Sequence, residues 1–460
     1  MAKRAGGKRK DYDVIIVGAG PAGIFAALEL VREKGLRTLL LEKGADIDGR
    51  DRTDPSSILS GWGGSGAFSD GKLNLSPHVG GSLAGFVDVP LLEEIIRYVD
   101  GVYVGYGAAK SLYGGDSDRV AEIQRRASLA NLKLVVSSIR HIGTENCPRI
   151  LRRIRRDLEG KLDMRFHSPV REILCGSGGV RGVALDDARY SAPFVIVAPG
   201  REGSRWLSEE AGRLGLPTTH NPVDIGVRVE VPAAVTAHLT ASLYESKFLF
   251  ASRSFDDSVR TFCMCPHGEV VIEKNGDVVT VNGHSYSRTR TSNTNFAVLV
   301  STSFTKPFSE PIAYGRFIAR LANLIGGGVI VQRLGDLHAG RRSTPARIEK
   351  STVVPTLKSA TPGDLSFVLP YRYLTGILEM LRALDDTAPG INSPHTLLYG
   401  VEVKFYSSRL ELSSELETDI AGLYAVGDGA GVTRGLVQAS ASGVMAARSI
   451  IRRLKGKKKG

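Results

Sequence analysis

The feature that most constrains the fold is a short β-branched strand followed directly by a glycine motif and a helix. Residues 14–27 read VIIVGAGPAGIFAA. In this arrangement Gly18 permits a tight turn out of the strand, Gly20 lets the backbone approach a pyrophosphate, and Gly23 lets the helix pack closely on the strand. The helix N-terminus then directs N–H groups and the positive end of its dipole at the phosphates. The pattern predicts a dinucleotide-binding turn.

A second apolar strand completes the predicted βαβ unit. Residues 37–41 read RTLLL and lead into Glu42. An acid at the end of the second strand can accept hydrogen bonds from both ribose hydroxyls. The same carboxylate would repel a 2′-phosphate, so NADP is disfavoured at this site.

Net charge first suggests an anionic partner, but its distribution argues otherwise. The 460 residues carry a formal net charge of +12. Residues 1–10 hold five basic side chains and no acid, and residues 452–460 hold six and no acid. The body of the chain is therefore nearly neutral, and we interpret the basicity as two mobile tails. This disfavours nucleic acid as a partner.

Composition excludes several classes of protein. A hydrophobic fraction of 42% and a charged fraction of 23% are typical of a globular protein, not of a coiled coil or a disordered chain. The four cysteines favour a reducing compartment, so we expect a cytoplasmic protein. Residues 14–31 are apolar except for Glu29, but three glycines and a proline interrupt them, which disfavours a signal peptide or a membrane span.

The apolar periodicity predicts the order of the remaining elements. Residues 44–90 read as loop, 91–131 as mostly helical, 149–162 as a basic amphipathic helix, and 164–198 as a β-meander. Residues 223–310 are rich in strands. Helices return at 311–325 and 371–385, and a last strand at 423–426 precedes a last helix at 437–454.

A second glycine turn lies near the carboxyl end of the chain. Residues 418–431 read TDIAGLYAVGDGAG, an apolar strand that ends in Gly427-Asp428. This stretch resembles the second FAD fingerprint of the glutathione-reductase-like flavoproteins. The resemblance implies that Asp428 bonds a ribityl hydroxyl and that the helix opening near Leu436-Val437 points its N-terminus at the flavin. Residues 195–200, VIVAPG, resemble a third strand end of that fold, with Pro199 in place of threonine.

Further stretches resemble one group of proteins in the same order along residues 11–450. These are the poorly characterised FAD-dependent dehydrogenases often labelled NAD(FAD)-utilising. The matching stretches are Gly63–Lys72, His141–Thr144, Ala198–Arg201, Ile225–Glu230, Phe262–Pro266, Glu402–Lys404 and Ser407–Ser408. The chain departs from the group at His267-Gly268, where two glycines are usual, and at Asp428, where glutamate is common. The resemblance implies FAD and an oxidoreductase, but no particular substrate.

Three residues are candidates for chemistry beside the flavin. The resemblance implies that the loop from Gly63 to Lys72 crosses the flavin, where Lys72 could stabilise a reduced anionic flavin; a surface ion pair is the alternative. Cys263 and Cys265 lie at i and i+2 on a predicted strand and so face one side. They could be small buried side chains, line the substrate site, or form a redox or metal site. A disulfide between them would be strained.

The predicted fold is an α/β glutathione-reductase-type FAD domain with an inserted mixed β/α substrate domain. The FAD domain comprises residues 11–80, 128–222 and 395–455, with a helical insertion at 81–127, a substrate or cap domain at 223–394, and basic tails at 1–10 and 456–460. The predicted cofactor-binding residues are Gly18, Gly20, Pro21, Ala22, Gly23, Glu42, Lys43, Arg50, Gly64, Ser65, Gly66, Ala67, Phe68, Ser69, Val170, Ala198, Pro199, Gly200, Gly427, Asp428, Leu436 and Val437.

We therefore expect an FAD-dependent oxidoreductase that exchanges hydride between a small organic substrate and the flavin, with an electron donor or acceptor still to be identified. A flavin-binding sensor or carrier without turnover, or an RNA-modifying flavoprotein, is the alternative. No metal site is predicted. The sequence does not indicate the oligomeric state, and it contains no second βαβ glycine motif that would support a separate NAD(P)H-binding domain.

Overall fold

In the computed structural model, α-helices hold more of the described residues than strands do, and the strands form the sheets on which both parts of the chain are built. The model describes residues 10–51, 54–69, 71–114, 117–143, 145–219, 222–243, 245–275, 277–285, 290–302, 310–405 and 409–457. The strands are Lys10–Asp11 (β1), Val14–Val17 (β2), Thr38–Leu41 (β3), Lys72–Asn74 (β4), Leu132–Val135 (β5), Ile139–His141 (β6), Asp163–Arg165 (β7), Glu172–Gly176 (β8), Gly179–Ala184 (β9), Arg189–Ser191 (β10), Phe194–Val197 (β11), Thr218–Thr219 (β12), Val223–Pro232 (β13), Lys247–Ala251 (β14), Ser258–Cys265 (β15), Glu269–Asn275 (β16), Val278–His284 (β17), Asn293–Thr302 (β18), Ile330–Arg333 (β19), Thr361–Pro362 (β20), Leu397–Lys404 (β21), Arg409–Leu410 (β22) and Leu423–Ala425 (β23).

Helices connect and cover these strands. The α-helices are Pro21–Leu30 (α1), Pro55–Leu59 (α2), Val89–Gly105 (α3), Asp118–Leu129 (α4), Cys147–Leu158 (α5), Ser204–Leu214 (α6), Ala233–Leu243 (α7), Pro311–Gly326 (α8), Leu334–His338 (α9), Pro345–Glu349 (α10), Tyr371–Thr387 (α11) and Leu436–Lys457 (α12). Short 3₁₀ turns lie at Ile47–Gly49, Gly64–Phe68, Leu83–Gly85, Leu365–Phe367 and Asp428–Ala430. The glycine run at 326–328 ends α8, because Gly327 adopts the left-handed conformation, with φ of 64°, that favours glycine at a helix C-terminus.

The contacts between Cα atoms divide the chain into two units. Unit 1 comprises Met1–Leu112, Ser138–Thr219 and Ser407–Gly460, and unit 2 comprises Tyr113–Ser137 and His220–Tyr406. The division differs from the predicted domains at three places. The expected helical insertion at 81–127 is split between the units, residues 128–137 lie in unit 2, and β21 also lies in unit 2, not in the cofactor domain.

Unit 1 is built on a five-stranded sheet in the order β23-β11-β2-β3-β7, with every neighbouring pair parallel. Both faces of this sheet are covered. On β2, the side chains of Val14 and Ile16 pack into the core that includes α1 and α12, while Ile15 and Val17 pack into the core that includes the meander β8–β10. The alternation follows from the period of two along a strand and explains why all four residues are buried.

Unit 2 is built on an eight-stranded sheet in the order β20-β19-β21-β13-β18-β15-β14-β5. Neighbours are antiparallel except for β19 and β20. The strand β5 pairs with β14, which explains why the segment from Tyr113 to Ser137 belongs with this unit. The hairpin of β16 and β17 forms a separate two-stranded sheet.

Both predicted basic tails are shorter than expected. Lys10 is part of β1, which pairs with β10, and α12 continues to Lys457 instead of ending before a tail at 456. Residues 1–9 and 458–460 lie outside the described part of the chain, as do four residues of the motifs above, Asp70, Thr144, Ser407 and Ser408.

Candidate functional site

Three glycine turns from distant parts of the sequence meet at one edge of the parallel sheet in unit 1. They follow the carboxyl ends of β2, β11 and β23, which are adjacent strands. A methyl group at Gly18 would lie 2.2 Å from the carbonyl oxygen of Ala198, and one at Gly429 would lie 2.6 Å from the carbonyl oxygen of Gly200. The crevice outside the carboxyl ends of parallel strands is where open α/β sheets bind ligands.

The first turn shows a different physical reason for each glycine. Gly18 has φ of 104°, and Gly23 packs so closely that a methyl group would lie 1.9 Å from the carbonyl oxygen of Gly18. A methyl group at Gly20 would meet nothing within 4 Å. Gly20 is the N-cap of α1 and no side chain caps this end of the helix. The turn therefore leaves open space directly in front of uncapped N–H groups, which suits a diphosphate.

Glu42 is buried at the end of β3 and binds backbone on both sides of the crevice. Its Oε2 accepts from Ala19 N at 2.7 Å, and its Oε1 accepts from Gly44 N at 2.8 Å and Gly61 N at 2.9 Å. The side chain is 5% exposed. A carboxylate has about four acceptor positions, so three N–H donors leave one for a hydroxyl. Glu42 both joins two loops and keeps a position for a ligand.

The loop predicted to cross the flavin lies against the N-terminus of α1. Gly63 N donates to Ala19 O at 2.8 Å, and a methyl group at Gly64 would lie 3.2 Å from Gly20 Cα. A methyl group at Gly66 would lie 2.7 Å from the side chain of Leu436, at the start of α12. The loop is thus held between the N-termini of two helices, and its glycines make this close approach possible.

Arg50 holds this loop from behind and does not line the crevice. Its guanidinium donates to the carbonyl oxygens of Trp62 and Gly64, both at 2.7 Å, and to that of Ser57 at 2.5 Å. Its Cζ lies 4.6 Å from the centre of the Phe68 ring. Burial lowers the pKa of Arg50 to about 10, against the opposing effect of Glu42. Arg50 is not among the residues that line the cavity, and its contact with the cofactor stays a prediction without support from this geometry.

The third turn presents Asp428. Gly427 has φ of 77°, and its N–H donates to Ser442 Oγ at 3.0 Å on α12. Asp428 accepts from Thr433 Oγ1 at 2.7 Å and from Arg201 Nε at 3.1 Å. The Arg201 side chain is 62% exposed. Because an exposed ion pair is weak, Arg201 can be displaced by another donor at little cost.

These elements enclose a cavity of about 460 Å³ in unit 1. Most of the predicted cofactor-binding residues line it: Gly18, Gly20, Pro21, Ala22, Glu42, Lys43, Gly64, Ser65, Gly66, Ser69, Val170, Ala198, Pro199, Gly200, Gly427, Asp428 and Leu436. Gly23, Arg50, Ala67, Phe68 and Val437 do not. Gly23 packs against the backbone of Gly18, Val437 is buried, and Ala67 is fully buried.

The sequence analysis missed several lining residues, among them Arg171, Arg201, Trp206 and Arg434. Trp206 lies on α6 and donates from Nε1 to Arg171 O at 3.0 Å. Arg201 directly follows the turn at Gly200, and Arg434 lies between the turn at Gly427 and the start of α12. Their proximity to these predicted turns could have identified them as cavity-lining residues. Nothing in the sequence around Trp206 indicated that α6 folds back to the crevice.

Lys72 lies away from this cavity. It is the first residue of β4 and pairs with His141 on the neighbouring strand β6. It is partly buried and does not line the cavity. A role for Lys72 in flavin chemistry therefore stays a prediction without support from this geometry.

Cys263 and Cys265 lie in unit 2, in a buried polar cluster formed by four strands. Their sulfurs are 3.9 Å apart. Arg228 on β13 donates from Nη2 to Cys263 O at 2.6 Å and to Cys265 Sγ at 3.2 Å, and from Nε to Asn295 Oδ1 at 2.8 Å. Its Nη1 lies 3.4 Å from Glu402 Oε1 on β21. Three separate sequence motifs are thus brought together by strand pairing.

Charges in this cluster compensate each other. Arg228 and Glu402 are both 0% exposed. Burial alone would lower the pKa of Arg228, but the Glu402 carboxylate together with Cys265 and Cys263 raises that pKa overall. Lys404 Nζ lies 3.0 Å from Glu402, and its pKa is likewise raised by Glu402 and Glu273 against the effect of burial. The two cations therefore stay charged inside the fold.

Two other basic segments form ion pairs with acidic side chains of the protein itself. On α5, Arg152 pairs with Asp48 at 2.6 Å and Arg155 pairs with Asp46 at 2.9 Å. In the stretch after α9, Arg341 pairs with the buried carboxylate of Asp336 at 3.0 Å. These contacts favour a structural role over recognition of an anion.

The described residues contain no group of three or more His, Cys, Asp or Glu side chains that could hold a metal ion. Within the same ranges, no helix combines the length and the apolar character that crossing a bilayer demands.

Comparison with known families agrees with the geometry of the crevice. Residues 13–57, which include the first glycine turn and Glu42, match an FAD binding domain. Residues 222–405 match the family described as FAD-dependent protein, C-terminal domain-like. FAD is the cofactor. The glycine turns, uncapped helix end and cavity described above fit this molecule.

Other similarities are more distant. An uncharacterised protein of Clostridium beijerinckii is 28% identical over 95% of this chain and 80% of its own length. Among solved structures, glycine oxidase from Geobacillus kaustophilus is 13% identical over 96% of this chain and 95% of its own, with a TM-score of 0.39. A variant of FrdA from the E. coli quinol fumarate reductase is 13% identical over 97% of this chain and 71% of its own, with a TM-score of 0.44. At these TM-scores, neither solved structure establishes a shared fold or reaction.

Proposed function

We propose that the protein is an FAD-dependent oxidoreductase that acts on a small organic substrate. The observation that carries this proposal is the cavity in unit 1, where three distant glycine turns and two helix N-termini converge. Bound FAD would supply the redox chemistry by exchanging hydride with the substrate. The contribution of the chain would be to hold the cofactor, orient the substrate and exclude water.

For the diphosphate, we propose the first turn. Open space at Gly20 and the uncapped N-terminus of α1 support this assignment, because the N–H groups there and the helix dipole favour a negative charge. Pro21, at the first position of the helix, has no N–H to leave unpaired. Arg434 also lines the cavity and would add a positive charge.

For the adenosine ribose, we propose Glu42. Its fourth acceptor position would take a ribose hydroxyl while the other three keep their backbone donors. The buried carboxylate would also select against a 2′-phosphate, which adds negative charge beside it. We also propose that the adenine lies near Lys43 and Val170, which line the same cavity.

For the ribityl chain, we propose Asp428, in an arrangement of the glutathione-reductase type. A hydroxyl would replace Arg201 as donor to Asp428 Oδ2, while Thr433 keeps Oδ1. The loop Gly64–Ser69 and the start of α12 at Leu436 line the same cavity and would flank the flavin. Four reduced cysteines are consistent with the cytoplasm, which we propose as the compartment.

The decisive experiment is to purify the full chain and record its absorbance. We expect a yellow protein with two flavin bands and FAD released on denaturation. An anaerobic screen of metabolites should then identify a substrate that bleaches the bound flavin. A colourless protein that acquires no flavin bands with added FAD would refute the proposal, and a flavoprotein that no donor reduces at a useful rate would indicate a sensor or carrier.

A variant of Asp428 tests the assignment of the site. Asp428→Ala should reduce FAD affinity by at least about tenfold if the carboxylate bonds the ribityl chain, since a hydrogen bond to a charged group contributes about 1.5–3 kcal/mol. The control is Asp277→Ala, which removes a carboxylate of unit 2 whose ion pair with Arg320 is exposed on both sides. Equal FAD affinity in both variants would exclude Asp428 from the site.

A further inference from the structure

The two cysteines of unit 2 are closer together than a regular strand allows. On a flat strand, residues i and i+2 are about 6.6–6.8 Å apart, whereas a disulfide needs Cβ atoms about 3.5–4.5 Å apart. In β15 the register against β18 shifts between Phe262 and Cys265, and Cys263 has φ of 49°. This irregularity brings the sulfurs to 3.9 Å. The strain expected for a Cys-X-Cys disulfide is therefore already reduced by the backbone.

The guanidinium of Arg228 is positioned on this pair of sulfurs. Because a guanidinium has donors only, Cys265 Sγ must be the acceptor of the 3.2 Å hydrogen bond. The Arg228 cation favours the thiolate of Cys265, the form that reacts in disulfide exchange, while burial and the Glu402 carboxylate oppose it. Lys404 is the cation that interacts with Cys263. Asn295 and Glu402 hold the other N–H groups of Arg228.

The space for this arrangement comes from a neighbouring hairpin. A methyl group at Gly283 on β17 would lie 2.0 Å from Arg228 Nη2 and 2.1 Å from Asn295 Oδ1. Only glycine fits where the hairpin crosses the guanidinium. The Arg228 contacts to both cysteines therefore depend on several strands of unit 2.

Burial distinguishes the two thiols. Cys265 is 1% exposed, while Cys263 is partly exposed. An external disulfide can reach only a thiol with access to solvent, and a buried neighbour can then displace it. This asymmetry assigns the first step to Cys263 and the second to Cys265.

We propose that Cys263 and Cys265 form a redox-active dithiol that exchanges with low-molecular-weight disulfides. The Cys263 thiolate attacks one sulfur of the external disulfide RSSR, forms a mixed disulfide and releases one thiolate RS⁻. The Cys265 thiolate, held by Arg228, attacks Cys263 Sγ, forms the Cys263–Cys265 disulfide and releases the second RS⁻. The protein loses two electrons and two protons, and RSSR becomes two RSH. This proposal is independent of the oxidoreductase proposed for unit 1.

Mass spectrometry of the full-length protein with its FAD tests the exchange. The protein is equilibrated with mixtures of reduced and oxidised glutathione, quenched in acid, alkylated and digested with trypsin. Cleavage after Arg260 and Lys274 yields a peptide that contains only these two cysteines. We expect alkylation of both in reduced glutathione and loss of both alkylation sites, with loss of two hydrogens, as the oxidised fraction rises. Full alkylation at every ratio would overturn the proposal and assign the pair to the core.

Single variants test the order of the steps. Cys265→Ser should accumulate a glutathione adduct on Cys263, because no thiol remains to displace it. Cys263→Ser should form no adduct, since Cys265 is buried. Cys175 is a control within the same molecule, a partly exposed cysteine whose pKa is raised by burial, and should stay reduced. Adducts on Cys175 equal to those on Cys263 would overturn the claim that the site is specialised.

The role of Arg228 as a positioning residue is tested through the pH profile. In the wild-type protein, the rate at which Cys265 displaces glutathione from the mixed disulfide on Cys263 should reach half its maximum below about pH 8.5, the value for an ordinary thiol. Arg228→Lys should shift this midpoint upward. If that variant does not fold, the wild-type profile decides, and a midpoint at or above that of an ordinary thiol would exclude thiolate stabilisation by Arg228.

Discussion

At the scale of the residue, the first glycine turn shows how one motif combines two requirements. Gly18 and Gly23 are needed for the protein to fold, because each packs against backbone, whereas Gly20 faces open space. The sequence motif predicted the same division, with a tight turn at Gly18, close packing at Gly23 and approach to the ligand at Gly20, and placed all three among the cofactor-binding residues. The structure assigns two of them to packing and leaves one for the ligand.

Substitution of these glycines should separate folding from binding. Gly18→Ala combines a left-handed backbone with a 2.2 Å contact to Ala198 O, and we expect it to lower the free energy of unfolding by about 2 kcal/mol or more. Gly20→Ala is compatible with φ of −75° and should leave that free energy unchanged while weakening FAD binding. Urea unfolding and FAD titration measure both effects. A strongly destabilised Gly20→Ala would contradict this division.

Tyr98 allows a prediction about pH. Its hydroxyl donates to Glu29, and burial together with this hydrogen bond raises the pKa of Tyr98 to about 12. A raised pKa means that the folded state holds the proton more tightly, so the stabilisation is complete below about pH 10 and is lost as the pH rises through about 12. Tyr98→Phe should therefore make the free energy of unfolding fall less steeply across that window.

Urea unfolding at about pH 9 and about pH 11 measures this effect. The control is Tyr371→Phe, because Tyr371 is 76% exposed. An identical alkaline loss in the wild type and Tyr98→Phe would show that this hydroxyl contributes nothing to the pH dependence.

At the scale of the element, the loop Gly61–Ser69 depends on support from outside itself. Arg50 donates to the carbonyl oxygens of Trp62 and Gly64 in the loop and to that of Ser57 before it. Glu42 accepts from Gly61 N at the start of the loop. Composition predicted a glycine-rich loop here, and three of its four glycines, Gly61, Gly64 and Gly66, line the cavity. Its anchoring could not be predicted, because hydrogen bonds from a side chain to distant carbonyl groups leave no periodic signal in the sequence.

Removal of Arg50 should loosen this loop. Arg50→Met leaves the carbonyl groups of Trp62 and Gly64 without their donor, and we expect a loss of about 2–4 kcal/mol in the free energy of unfolding together with weaker FAD binding. Arg152→Met is the matched control, since the ion pair of Arg152 with Asp48 is exposed and should contribute less than about 1 kcal/mol. Equal effects of the two substitutions would contradict the anchoring role.

At the scale of the whole molecule, the cofactor assignment predicts coupling between FAD and stability. FAD that binds only the folded protein at a hundredfold excess over its Kd should stabilise it by about 2.7 kcal/mol. Hydrogen exchange should slow most in the turns after β2, β11 and β23 and in the loop Gly61–Ser69, which line the cavity. FMN at the same concentration is the control, because it lacks the adenylate that Glu42 is proposed to bind.

Thermal unfolding of the FAD-depleted protein, alone and with each flavin, measures the first effect, and mass spectrometry of exchanged peptides measures the second. Equal stabilisation by FMN and FAD would argue against the proposed ribose contact. Protection concentrated outside the cavity-lining segments would place the cofactor elsewhere.

The sequence by itself determined the local features of this protein: the βαβ glycine turn, the second turn ending in Asp428, the helices at α8, α11 and α12, and FAD as cofactor. These depend on spacing and backbone conformation within a few residues, which sequence patterns record directly. Only the tertiary structure decided that β5 and β21 join the sheet of unit 2, that Trp206 reaches the cavity, and that Arg228, Glu402 and the two cysteines form one cluster. The physical reason is that strand pairing joins residues far apart in the chain, and apolar periodicity shows which face of a strand is buried but not which strand lies beside it.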